Sequence, residues 1–409
     1  MAARVQSDNV RATHQSMHHL VSTSEWSDEA VLGEVATQVV PRLMKKEKRC
    51  WWIVDDTGHA KKGRHSVGVA RQYCGRLGKT DNCQVAVSLS WANEHGSVPL
   101  AYRLYLPEEW AQDRERCSAA RVPEQIEFRT KGQIAREQID AALAKDLPRG
   151  VVLADAAYGD ESGFRDGLTE RELSYVLAVR ETTGVWWGEH QPAPVPANDS
   201  PARGRPRTRL KRDAAHQPIG VLELARQLPA KSWRTITWRE GTNQTLCSRF
   251  ARVRVRAASG NRARKEEWLL IEWQVTEDKP VHYWLSTLPE RASFKELVAN
   301  AKGRWMIERD CQELKSELGL SHYEGRNWRG FHHHATLCIA AYGFLMLERL
   351  SGKKNARFEE PALPESYRPR GSRSDATSRA VVDRKSTRSP RPRHRSRVAR
   401  VSMLRRRAD

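Results

Sequence analysis

At 409 residues the chain is long enough for two or more domains, and 39% hydrophobic residues suffice for a sizeable core. A net charge of +20, from 70 Lys and Arg against 50 Asp and Glu, points to a phosphate-rich partner, nucleic acid ahead of an anionic membrane surface. No stretch approaches the roughly 18 to 20 apolar residues of a membrane-spanning helix and Met1 to Ser16 lacks the apolar centre of a secretory signal, so no membrane role is expected and the chain is placed in the cytoplasm.

In chain order, the apolar run Trp51-Trp52-Ile53-Val54 stops at Asp55-Asp56-Thr57-Gly58, the pattern of a buried strand ending in a polar turn. After a Gly- and Lys/Arg-rich stretch, Gln84 to Trp91 and Val98 to Leu106 read as a hairpin turning at Asn93 to Gly96. A helix with Ala135, Ile139, Ala142 and Leu143 on one face ends before Pro148. The strand Val151 to Ala154 ends at Asp155, and a helix near Glu161 to Glu170 and the strand Tyr175 to Val179 complete a mixed α/β unit.

Between residues 182 and 290 the texture changes. A Pro-rich, basic segment from Pro192 to Lys211 precedes Trp-containing β-like runs, which read as an inserted β-rich subdomain. The α/β unit resumes at Ser293, which with Glu296 signals the start of a helix expected to run to Leu318 and stop at Gly319. A last helix, Thr336 to Leu350, is apolar nearly all round and is expected to be buried. From Ser351 onward, 18 Lys and Arg stand against 6 Asp and Glu, so this tail holds twelve of the twenty net positive charges. Without periodicity or many large apolar residues, it reads as disordered. The expected divisions are thus 1–47, 48–181, 182–290, 291–350 and 351–409. The seven cysteines are scattered and form no Cys-x-x-Cys pair, which argues against a disulfide framework or a structural zinc.

Two carboxylates that each end an apolar strand come together if the strands are neighbours, because strands lie roughly 4.8 Å apart. Asp56 and Asp155 are therefore candidates to share a metal, although a strand-end aspartate also serves simply to cap the next turn. On the later helix Ile307, Cys311, Leu314 and Leu318 form an apolar stripe, and Arg304, Glu308 and Lys315 form an adjoining charged one. That stripe is also compatible with an ordinary solvated face.

The spacing of Arg304, Glu308 and Lys315 resembles the Tyr-x2-Arg-x3-Glu-x6-Lys signature of the insertion-sequence-four superfamily of bacterial DDE transposases. Within it the chain is similar to the insertion-sequence-seven-hundred-one group, through Asp55-Asp56-Thr57-Gly58 with Lys62-Gly63, Ser66 to Gln84, Ala154 to Gly159, Gly319-Leu320, Glu324 to Arg326 and His332 to His334. Ala301 stands where the signature has tyrosine.

The resemblance implies an RNase H-like mixed sheet flanked by helices and interrupted by a β-rich insertion. Residues 1–47 would then be the remnant of an N-terminal helical DNA-binding region. It implies a catalytic set of Asp56, Asp155 and Glu308 holding two Mg²⁺ or Mn²⁺ ions, since hard cations take oxygen ligands. Of the adjacent aspartates, the family pattern favours Asp56, which precedes Thr57. Arg304, Lys315, Lys62, Arg326, Trp284 and His332 are the expected DNA contacts, with Trp284 or Tyr283 as receivers of a flipped base. His332 to His334 read better as DNA contact or helix capping than as a metal site, because consecutive residues rarely ligate one ion. The implied activity is cut-and-paste transposition of double-stranded DNA at insertion-sequence ends by a homodimer associated with the nucleoid. A truncated DNA-binding remnant without cutting activity is the alternative.

Overall fold

A computed structural model describes residues 5–75, 77–192, 216–240, 245–258, 264–274 and 276–352. The tail from residue 353 and nearly all of the Pro-rich basic segment lie outside the described residues. The chain opens with two helices, α1 (Val10–Ser22) and α2 (Asp28–Met44), the second capped by the Ser27 hydroxyl, which accepts from the Ala30 amide. The strands β1 (Trp51–Ala60), β2 (Ala70–Cys74), β3 (Lys79–Asn93) and β4 (Gly96–Leu104) follow. Two short helices, α3 (Glu108–Gln112) and α4 (Arg114–Ala119), lead to α5 (Lys131–Ala144). Then come β5 (Val151–Ala154), the single turn α6 (Ala156–Gly159), α7 (Ser162–Glu170) and β6 (Tyr175–Val179).

The sheet has β3 antiparallel to β1, β1 parallel to β5 and β5 parallel to β6, with β4 on the far edge of β3. The order β4-β3-β1-β5-β6 is the RNase H-like arrangement, and the helices cover both faces. Strand alternation sorts the side chains. Trp52, Val54, Val152 and Ala154 point into a core with Ile134, Ile139, Phe164, Leu168 and Ile339, whereas Trp51, Ile53, Leu153 and Val176 point into a second core on the opposite face.

The region between 182 and 290 is β-rich as expected, with β7 (Gly184–Trp186), β8 (Ile219–Gly220), helix α8 (Val221–Gln227), β9 (Arg234–Glu240), β10 (Thr245–Ala257), β11 (Glu267–Trp273) and β12 (His282–Ser286). Its strands continue the core sheet, because β12 pairs antiparallel with β6, β11 with β12 and β10 with β11.

The chain then re-enters the second core through α9 (Phe294–Lys302) and α10 (Trp305–Ser316) and ends in α11 (Trp328–Leu350). Two expectations are corrected here. The single helix expected from Ser293 to Leu318 is broken after Lys302. There Gly303 lies so close to Trp51 that a Cβ would stand 2.9 Å from Cε2 of the indole, and the amides of Gly303, Met306 and Ile307 bond three residues back instead of four. The last helix begins eight residues earlier than Thr336, because the Asn327 side chain accepts from the Gly330 amide and caps it. Most of α11 is buried, but Leu337, Phe344 and Leu345 face outward. Among the described residues no helix is long and apolar enough to cross a membrane.

Candidate active site

The parallel ladder between β1 and β5 aligns Trp51 with Val151, Trp52 with Val152 and Ile53 with Leu153. Asp55 and Asp155 therefore follow two residues after an aligned pair, on the face that carries α9 and α10. Asp155 lies just past the strand, where its Oδ1 accepts from the Ala157 amide at 2.9 Å and caps α6. Asp55 accepts from Nη2 of Arg304 at 2.5 Å, with side-chain exposures of 18% and 30%. Burial pushes the Asp55 carboxyl up. Arg304 opposes that, and the negative charges of Asp155 and Asp56 add to it. Burial works against the Arg304 charge, but Asp55, Asp155 and Glu308 outweigh it and raise its pKa. One guanidinium thus lies in the field of a carboxylate from β1, one from the end of β5 and one from α10. The thiol of Cys311, one turn beyond Ile307, is pushed up to about 12 by burial and then by the charge of Asp55.

Asp56 points to the other face. Its Oδ2 lies 2.6 Å from the Lys131 ammonium and its Oδ1 accepts from the Tyr158 hydroxyl at 2.5 Å. Lys131 opens α5 under a Thr130/Gln133 capping box, and its ammonium lies 5.6 Å from the Tyr105 ring centre. Tyr158 is buried, and its hydroxyl is held well above the ordinary range by burial and then by the Asp56 charge. Neither Lys131 nor Tyr158 was singled out by sequence reasoning. The capping box was visible, but nothing in the local pattern says which strand its first helical residue meets.

Glu308 lies in the first turn of α10 and is exposed, while Lys315 lies in its last turn and is partly exposed. Among the described residues no group of three or more His, Cys, Asp or Glu is gathered closely enough to hold a metal as it stands. The donor chemistry nonetheless fits a hard divalent cation, since Asp55, Asp56, Asp155 and Glu308 offer only carboxylate oxygens. Burial, and after it the charges of Asp155 and Asp56, raises the Asp55 carboxyl, and a cation would oppose both effects.

Lys62 and Arg326 are exposed on two loops that meet, because the Val67 amide donates to Arg326 O at 3.0 Å and the Lys61 ammonium donates to Tyr323 O. Two other expected contacts are corrected. Trp284 is 8% exposed and packs in the second core with the Lys302 ammonium 5.5 Å from its ring centre, so no face is open for a stacked base. Tyr283, the other candidate, is likewise buried. His332 is 6% exposed, its Nε2 accepting from the Leu104 amide at 3.2 Å and its Nδ1 donating to Trp328 O at 2.9 Å, so the ring has no nitrogen left for DNA. His333 stacks on Trp26 with ring centres 3.7 Å apart, and His334 Nε2 meets Gly319 O at 2.9 Å. The three histidines thus tie α11 to its surroundings.

Comparison with known proteins follows the same line. The chain is 34% identical over 168 residues to a probable transposase for insertion sequence element IS701 from Microchaete diplosiphon, an alignment covering 41% of this chain and 40% of that relative. A family model described as DDE superfamily endonuclease matches residues 1–245, which include Asp55, Asp56 and Asp155. With more than half of its length matched, the chain belongs to the DDE superfamily endonuclease family.

Proposed function

We propose that the protein is a transposase that cleaves double-stranded DNA at insertion-sequence ends and transfers the freed strand to a target, in cut-and-paste fashion. The observation that carries this reading is that Asp55 of β1 bonds Arg304 at 2.5 Å, with Asp155 at the end of the neighbouring parallel strand β5 and Glu308 four residues after Arg304 in the first turn of α10. A carboxylate of the Asp55-Asp56 pair, together with Asp155 and Glu308, would hold two Mg²⁺ or Mn²⁺ ions. When bound, such ions stabilise the attacking and leaving oxygens of an in-line phosphoryl displacement.

The chain's own residues would position the DNA. Arg304 offers a planar fork of donors that matches a phosphate bidentately, and Lys315, one end of α10 away, offers a compact charge. Lys62 and Arg326, exposed on adjoining loops, extend the cationic surface along the duplex. Residues 1–47 would contribute to recognition of the element's end, 48–181 and 291–350 would form the catalytic core, and 182–290 would be the insertion that extends its sheet. The basic residues from 351 onward would add sequence-independent attraction. Pairing of two ends favours a homodimer on DNA, working in the cytoplasm at the nucleoid.

Mg²⁺-dependent cleavage of a labelled duplex carrying the element's own end tests the reading, with Asp155→Ala and Glu308→Ala beside the wild type. The expected outcome is site-specific cleavage by the wild type and loss of at least about a hundredfold in rate in each variant. Binding without cleavage by all three proteins would instead identify a DNA-binding remnant.

A further inference from the structure

We infer that the two adjacent aspartates divide the labour, Asp55 serving the metal-dependent site and Asp56 acting as a positioning residue that ties β1 to α5 and α6. This rests on the transposase reading and reverses the assignment that the resemblance favours, in which the residue before Thr57 is the ligand.

Register carries the argument first. Neighbouring parallel strands in register present aligned residues on the same face. Trp51 and Ile53, with Val151 and Leu153, all pack in the second core, whose lining includes Met306 and Ile307 of the helix that bears Glu308. Asp55 continues that alternation and Asp56 opposes it. Asp55 bonds Arg304, which stands four residues before Glu308 at the start of α10, whereas Asp56 bonds Lys131 and Tyr158.

Occupancy of the oxygens carries it second. Both carboxylate oxygens of Asp56 are already engaged on the first-core face, by the Lys131 ammonium at 2.6 Å and by the Tyr158 hydroxyl at 2.5 Å. A lysine in the first turn of a helix opposes the helix dipole, so its place at the start of α5 is explained by the carboxylate that it meets. Tyr158 comes from the turn immediately after Asp155. Asp56 therefore fastens the middle of β1 to the segment that presents Asp155, and so sets the spacing between that strand and the end of β5.

The test is titration of Mn²⁺ into the metal-free full chain by calorimetry, without DNA, for the wild type, Asp55→Asn, Asp56→Asn, Asp155→Asn and Glu308→Gln. Thermal melts check that each variant is folded. Asp55→Asn is expected to weaken Mn²⁺ binding at least about tenfold, and Asp56→Asn to change it by no more than about threefold. Asp56→Asn should instead lower the melting temperature, and combining it with Lys131→Met should add little, because the pair acts as one unit. Should Asp55→Asn fail to fold, Asp55→Glu keeps the charge opposite Arg304 while displacing the carboxylate, and is expected to weaken binding at least about fivefold. Loss of Mn²⁺ binding in Asp56→Asn equal to or greater than that in the Asp55 variant overturns the assignment. If none of the four carboxylate variants alters Mn²⁺ binding, the metal-dependent reading itself fails and takes the assignment with it.

Discussion

At the scale of single residues, close approach and burial decide more than residue type. Gly303 lies against Trp51 and Leu153, with an added Cβ falling 2.9 and 3.1 Å from their side-chain atoms. Gly303→Ala is expected to destabilise by about 1 to 3 kcal/mol, since a rigid indole cannot retreat from the new methyl. A chemical denaturation curve would measure it, and an unchanged midpoint would contradict the packing described. His332 makes a pH-dependent contribution. Burial lowers its pKa, and the neutral ring accepts from the Leu104 amide, a bond that protonation removes. A base whose folded pKa is depressed leaves the unfolded state holding more protons below its ordinary value. The stabilisation is therefore complete above about pH 6.5 and is lost as the pH falls toward the folded value. The melting temperature is expected to fall between pH 7 and pH 5, and His332→Gln should flatten that fall.

At the scale of elements, the join between the core and the insertion depends on a buried ion pair. Lys302, the last residue of α9, meets Glu272 of β11 at 2.6 Å with side-chain exposures of 15% and 1%, beneath the rings of Trp238, Trp284 and Phe250. Lys302→Met would leave the Glu272 carboxylate buried without its counter-charge, a loss of about 3 to 5 kcal/mol. Adding Glu272→Gln should recover part of it, and a double-mutant cycle of denaturation midpoints would show whether the two residues are coupled. Much of this level was legible in advance. The runs at Trp51, Val151 and Tyr175 became strands, the hairpin turned between Asn93 and Gly96, and the helix before Pro148 closed where its apolar face ended. The break after Lys302 was not legible, because it depends on Trp51, some 250 residues earlier in the chain. The burial of Trp284 was likewise hidden, since a tryptophan in a strand reads the same whether its ring meets a base or a lysine.

At the scale of the whole molecule, charge and sheet topology act together. Duplex affinity is expected to fall steeply with salt, by at least about tenfold between 50 and 200 mM, because each phosphate contact releases a counterion. A chain ending at residue 352 lacks most of the charge excess and should show a shallower slope in a fluorescence-anisotropy titration, with cleavage specificity retained.

From the sequence alone followed the phosphate-seeking charge, the mixed α/β core interrupted by a β-rich stretch, and the place of Asp155 at a strand end, because local apolar runs, caps and composition carry those signals. The expected end of the first strand at Asp55 is corrected, since β1 runs on through Asp55 and Asp56 to Ala60, held by its pairing with β3. Tertiary structure alone decided which face each carboxylate occupies and what meets it there. Adjacent residues on a strand look alike in a sequence but lie on opposite sides of a sheet. Only the register of β1 against β5 puts Asp55 beside Arg304 and turns Asp56 toward Lys131 and Tyr158.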